Sequence, residues 1–117
     1  MNQDEAISTM SETQQVLVIV GQAFDVEAGA LTGPRRTANL SNARHAAMWI
    51  LYEWMGLSLN ETGAVLGGRD HSTVLYGKRQ ASGYLACNPR FRAKMTSIRN
   101  DLRPTLKREL PELPPAA

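Results

Sequence analysis

The sequence predicts an all-α fold, a compact helical bundle containing a helix-turn-helix. Three observations carry the prediction. The chain has 117 residues, of which 43% are hydrophobic and only 6% aromatic, which suits one small domain with a modest core. Residues able to cap a helix stand in front of successive apolar stretches: Ser11, Ser41 or Asn42, Ser58 and Asp70. Within residues 58–85 the pattern is a short helix, a Gly67-Gly68 turn and a longer helix.

Residues 1–10 are polar and acidic without periodicity, and read as a flexible N-terminus. Ser11 caps a helix from about Glu12 to Phe24, in which Val16, Leu17, Val18, Ile19, Val20 and Phe24 make an unusually apolar stretch that predicts burial. The β-branched run also allows a strand over 16–20, but its flanking Gln and Glu residues favour helix. Residues 25–40, with Gly29, Gly33 and Pro34, read as a connection holding a short helical turn near Val26–Leu31. Arg35 and Arg36 follow the proline on a loop.

Ser41 or Asn42 caps the next helix, to about Met55, with Gly56 as its C-terminal glycine. Ser58-Leu59-Asn60-Glu61 is a capping box, in which serine and glutamate each satisfy a free amide of the first turn. Its helix ends near Leu66. Asp70 caps a helix from His71 to about Leu85, and Asn88-Pro89 interrupts the chain. The last helix runs from about Phe91 to Leu102 and is ended by Pro104. The domain therefore spans 11–103, and the proline-rich tail 104–117 reads as flexible.

Charge is unevenly placed. Residues 1–34 hold five acids and no Lys or Arg, whereas all thirteen basic residues lie between Arg35 and Arg108, among only four acids. Such a segment has the electrostatic footprint of a polyanion binder, although a solvated basic surface has the same composition. The longest apolar run, Ala46 to Tyr52, is far short of the ~20 residues that span a bilayer, so no membrane association is expected. The acidic start is unlike a secretory signal. A single cysteine, Cys87, allows no internal disulfide and fits a reducing cytoplasm; its expected role is that of a small structural residue.

The sequence has neither a GxxxxGK[ST] phosphate loop nor a GxGxxG fingerprint. His45, His71 and Cys87 lack metal-ligand spacing, and no paired carboxylates or nucleophile elbow appear. Neither catalysis nor a cofactor is expected.

Two capped helices about a tight turn make a helix-turn-helix candidate, a geometry found both in DNA readers and in bundles that bind nothing. Here the second helix presents Asp70, His71, Ser72 and Thr73 in its first turn. These short polar side chains suit base edges, and Val74 or the Thr73 methyl suits a thymine methyl. The free amides of a helix N-terminus also suit a phosphate. Asp70 and Thr73 alone would be explained by capping; His71 and Ser72 would not.

Residues 43–80, ARHAAMWILYEWMGLSLNETGAVLGGRDHSTVLYGKRQ, closely resemble the C-terminal DNA-binding domain (domain IV) of the bacterial replication initiator DnaA. GGRDHSTVL, Gly67 to Leu75, looks like that family's signature, and weaker similarity runs from about Thr13 to Leu102. The resemblance implies a free-standing domain without the family's ATPase module. It implies base reading in the major groove by Asp70, His71, Ser72, Thr73 and Val74, with Arg69 beside them. It further implies that Arg36 enters the minor groove, that Arg44 and Leu59 meet the DNA backbone, and that Asn60 stands at the start of the bracing helix. Ser72 replaces a commoner threonine, Asn60 a frequent proline, Tyr52 a basic phosphate contact and Gln80 a lysine for which Lys78 could compensate. With phosphate contacts thinned, weaker binding than that of a full initiator domain is expected.

Met48, Leu51, Tyr52 and Met55 fall at i, i+3, i+4 and i+7 on the face opposite Ala46, Ala47, Ile50 and Trp54. An exposed apolar stripe there would be a partner-binding surface; alternatively the N-terminal segment or the tail covers it. Two functions follow. The first is sequence-specific binding of double-stranded DNA at DnaA-box-like sites, in the cytoplasm at the nucleoid, regulating replication initiation or transcription. The second is an interaction module that acts on the replication initiator or its regulators through the stripe. The sequence leaves the oligomeric state open.

Overall fold

The computed structural model describes residues 10–117, and they form six helices and no strand. These are α1 (Glu12–Phe24), α2 (Ala28–Leu31), α3 (Ala38–Glu53), α4 (Leu59–Val65), α5 (His71–Cys87) and α6 (Pro89–Leu106). The all-α expectation holds. Of the expected flexible N-terminus, residues 1–9 lie outside the described residues.

α1 begins where the sequence places it. Ser11 Oγ accepts from the Gln14 amide at 3.3 Å. The helix ends in a left-handed Asp25 (φ 58°), and the Val26 amide returns to the Gly21 carbonyl at 2.9 Å, the six-to-one bond of a Schellman ending. The apolar run is helical, not a strand: Val16, Leu17, Ile19, Val20 and Phe24 are buried.

α3 is the central element, packed on both α1 and α5. It starts at Ala38, capped by Thr37, whose Oγ1 accepts from the Leu40 amide at 3.2 Å. The expected caps Ser41 and Asn42 instead lie inside the first turns. Thr, Ser and Asn are all cap formers, so only the path of the incoming loop selects among them. α3 also stops at Glu53, short of Met55, and the Trp54 ring that follows meets Trp49 edge-on at 5.2 Å.

The exposed stripe expected on α3 is not there. Met48 is 2% exposed and Leu51 0%, Met55 is half-buried, and only Tyr52, at 37%, is exposed. A helix with neighbours on several sides buries most of its circumference, and α3 also touches α2 and α4. At the end of the stripe the tail contributes as well, with Arg108 Nη2 3.1 Å from the Met55 sulfur.

α6 differs most from expectation. It starts two residues early, at Pro89, because Asn88 caps it (Phe91 N to Asn88 Oδ1, 3.1 Å) and proline is well suited to a first helical position. It then continues through Pro104 to Leu106. The proline gives up a single amide bond, while the turn around it buries Leu102 and Leu106 one turn apart in the core. A left-handed Lys107 (φ 55°) ends the helix.

The tail does not leave the body. Leu110 is buried and Leu113 packs against the core. Arg99 donates to the carbonyls of Leu110 (2.6 Å) and Pro111 (2.9 Å), Arg92 to Pro114, and Arg103 grips the Glu109 carboxylate through both oxygens at 2.9 Å. Phe91 meets Phe24 and Tyr84 at 5.8 and 5.3 Å, joining α6 to α1 and α5.

Candidate nucleic-acid interface

The interface is built on α4, the turn after it, and α5. The capping box of α4 is complete: Ser58 Oγ accepts from the Glu61 amide at 3.0 Å and Glu61 Oε1 from the Ser58 amide at 2.9 Å. The Ser58 amide, with the Ser58 hydroxyl second, holds the Glu61 carboxyl below its ordinary pKa. At the other end of α4, the Gly63 carbonyl accepts from the amides of Gly68 (2.9 Å) and Arg69 (3.0 Å), folding the turn back on the helix. The approach is so close that a Cβ on Gly63 would overlap the Arg69 carbonyl. Gly67 (φ 84°) lies against the Thr32 carbonyl, where a side chain would overlap backbone as well.

α5 leaves this turn with its first turn uncovered. Asp70, His71, Ser72 and Thr73 are all exposed. Asp70 Oδ1 accepts from the Thr73 amide (2.8 Å) and from Ser72 Oγ (2.7 Å), and the backbone bond from Thr73, with the Ser72 hydroxyl second, lowers the carboxyl pKa. Asp70 is therefore the helix cap, while His71 offers a side chain that capping does not engage. Val74 is a correction. It is fully buried beside Gly63, on the side of α5 that packs on α4, and cannot reach a base from there.

The loop between α2 and α3 lies next to the turn. Arg36 is exposed there, but Arg44 is not. It is 5% exposed, and its guanidinium donates to four carbonyls: Leu31 (3.0 Å), Ala30 (2.8 Å), Gly33 (2.8 Å) and Arg35 (2.5 Å). The expected backbone-contacting arginine is thus an internal clamp on the loop, with its donors already engaged. Arg69, half-buried, joins it: Nη2 donates to the same Gly33 carbonyl at 2.7 Å and Nη1 to that of Leu66. Burial first, then Arg69 and Arg36, holds the Arg44 pKa below its ordinary value; burial and then Arg36 does the same for Arg69. No acid forms an ion pair with this trio among the described residues. Mutual repulsion without a counter-charge is the electrostatic condition an incoming anion relieves.

Lys78 is also engaged elsewhere. Its Nζ sits 2.9 Å from Glu53 and 4.6 Å from the Tyr52 ring. Leu59 is half-buried against the core and Asn60 exposed in the first turn of α4. Cys87 is exposed rather than structural, its thiol donating to Gly83 at 3.1 Å.

One exposed residue escaped the sequence reading. Tyr76 is 59% exposed on α5, four residues after Ser72 and three after Thr73, and its ring meets His45 edge-on at 5.9 Å. The helical spacing from Thr73 was the available signal; what the spacing lacked was the knowledge that this face is bare.

A sequence profile described as the bacterial dnaA protein helix-turn-helix matches residues 13–81, α1 through the middle of α5. The chain belongs to the DnaA helix-turn-helix family. Its similarity to individual DnaA proteins is substantial. It is 38% identical over 94 residues to the chromosomal replication initiator protein DnaA of Thermomicrobium roseum, a match covering 80% of this chain and 20% of that protein. It is 36% identical over 89 residues to the Roseiflexus castenholzii DnaA (76% and 18%) and 30% identical over 94 residues to that of Treponema pallidum (80% and 20%). The chain thus spans about a fifth of the length of the DnaA proteins it matches. No group of His, Cys, Asp or Glu among the described residues could hold a metal ion, and no helix there is long and apolar enough to cross a membrane.

Proposed function

We propose that this domain binds double-stranded DNA sequence-selectively, at sites like those a DnaA protein occupies, and acts in the control of replication initiation or of transcription. α5 enters the major groove by its N-terminal turn, where His71, Ser72 and Thr73 address base edges. Arg36 reaches into the adjacent minor groove. Arg69 and Arg44 hold the parts together, and Asn60 with the first turn of α4 lies along the backbone.

The observation that carries this reading is the bare first turn of α5. Three polar side chains and the cap stand in solvent at the end of a helix, next to an exposed arginine on a loop hydrogen-bonded to the same turn. Capping engages Asp70 and the Ser72 hydroxyl bonded to it, and does not call for His71. The interaction-module reading has no comparable support, because Met48 and Leu51 are core residues.

The test is binding of duplexes that carry a DnaA box or its scrambled sequence, followed by fluorescence anisotropy at two salt concentrations. His71→Ala and Thr73→Ala should each weaken binding to the box duplex by ~1–3 kcal/mol, with a much smaller loss on the scrambled one. Equal losses on both would remove the base-reading role. No box preference in the unaltered protein would remove the function itself.

A further inference from the structure

Arg44 and Arg69 come from different elements, 25 residues apart in number, and converge on one atom, the carbonyl oxygen of Gly33. Arg44 gathers the carbonyls of Ala30, Leu31 and Arg35 as well, so that one guanidinium spans the end of α2 and the start of the Arg36 loop. Arg69 ties that loop to Leu66, the C-cap of α4. The Gly67 backbone, pressed against the Thr32 carbonyl, closes the same seam without a side chain. A planar fork with five fixed donors can do this; an ammonium cannot.

We propose that Arg44 and Arg69 are positioning residues, a two-arginine clasp that fixes the Arg36 loop relative to the first turn of α5. This rests on the DNA-binding reading above, which it deepens: the clasp presets the distance between the minor-groove and major-groove contacts, so the loop need not be ordered on binding. Holding Arg36 beside two like charges is unfavourable in the free protein. Nothing acidic offsets it among the described residues, and the carbonyls that receive the two forks are what keep it in place.

The test uses the charge-retaining variants Arg44→Lys and Arg69→Lys, with Arg36→Ala for comparison. Trypsin cleavage after Arg35 and Arg36 reads loop fixation without DNA, and cleavage after Arg79, inside α5, reports global unfolding. In each lysine variant loop cleavage should accelerate about tenfold or more while cleavage after Arg79 stays unchanged. Preference for an A/T-rich over a G/C-rich flank should fall toward that of Arg36→Ala. Combining Arg36→Ala with either lysine variant should lower affinity no further than Arg36→Ala alone. Unchanged loop cleavage, or full additivity in the doubles, would overturn the clasp. Should Arg44→Lys unfold, the less buried Arg69→Lys carries both readouts. If the unaltered protein lacks flank preference, the DNA reading fails, and the trypsin result still decides whether the clasp fixes the loop.

Discussion

His45 sits at the meeting of α3 and α5, its ring edge-on to Tyr76 and its Nδ1 buried without a hydrogen-bond partner. Burial, and secondarily the Arg44 charge, pushes its pKa below the ordinary 6.5. A lowered folded-state pKa means that below pH 6.5 the unfolded chain binds a proton that the folded one refuses, so stability falls as pH drops through that window. The melting temperature should decline from about pH 7 to about pH 5.5, and His45→Gln should flatten that decline. An equal slope in the variant would assign the decline to other groups. Asp70 and Glu61 act in a lower window. Their capping bonds depress their pKa values, so the stability they contribute is present above the ordinary carboxylate range and is lost as pH falls through their folded values. Between pH 5.5 and 7 they are silent, which isolates His45.

At the level of elements, the helix-turn-helix depends on how closely backbones approach. Gly63 faces the Arg69 carbonyl with no room for a methyl group, and backbone cannot swing aside as a side chain can. Gly63→Ala should therefore cost about 2–4 kcal/mol. Gly29, in α2 with open space about it, should accept alanine with no loss or a gain of about 0.5–1 kcal/mol. Thermal denaturation of the pair checks both; similar costs would show that helix propensity, not the turn, governs. α3 gives a second contrast. Leu51→Glu would bury an unpaired carboxylate and should abolish the cooperative melt, whereas Tyr52→Glu, one residue along and partly exposed, should shift stability by no more than about 1 kcal/mol. Cooperative melting of Leu51→Glu would restore the idea of an open stripe.

Across the whole molecule the basic charge is divided between structure and surface. Arg44 and Arg69 clamp the loop, Lys78 pairs with Glu53, Arg92, Arg99 and Arg103 hold the tail, and Arg108 reaches Glu12 at 3.3 Å. Lys94 lies 4.8 Å from the centre of the Phe24 ring. The side chains of Arg35, Arg36, Arg79, Arg90 and Lys107 make no hydrogen bond or ion pair among the described residues. Five free cations set a ceiling on counterion release, so the slope of log K against log salt should be no steeper than about −4 to −5. Binding measured from low to moderate salt checks this. A steeper slope would mean that clamped arginines let go of their carbonyls to meet phosphates.

Local chemistry was legible in the sequence. Ser11, the Ser58–Glu61 box and Asp70 act within three or four residues of themselves, so spacing alone located the starts of α1, α4 and α5. The exposed first turn of α5, Asp70 to Thr73, was legible for the same reason, as was the family motif Gly67 to Leu75. What the sequence left open depends on neighbours distant along the chain. Thr37 rather than Ser41 caps α3 because of where the loop arrives. Pro104 stays helical because Leu102 and Leu106 have a core to enter, and the tail is held because α6 presents three arginines to it. Met48, Leu51 and Val74 occupy helix positions that periodicity could place on an outer face, yet α3 has neighbours around it and α5 packs on α4. Arg44, expected from the resemblance to meet the DNA backbone, has its donors turned inward to four carbonyls that no local pattern could bring together. Caps and turns are short-range bonds and are written in the order of residues; burial and the direction of a long side chain are properties of the packed chain, and only the tertiary structure decides them.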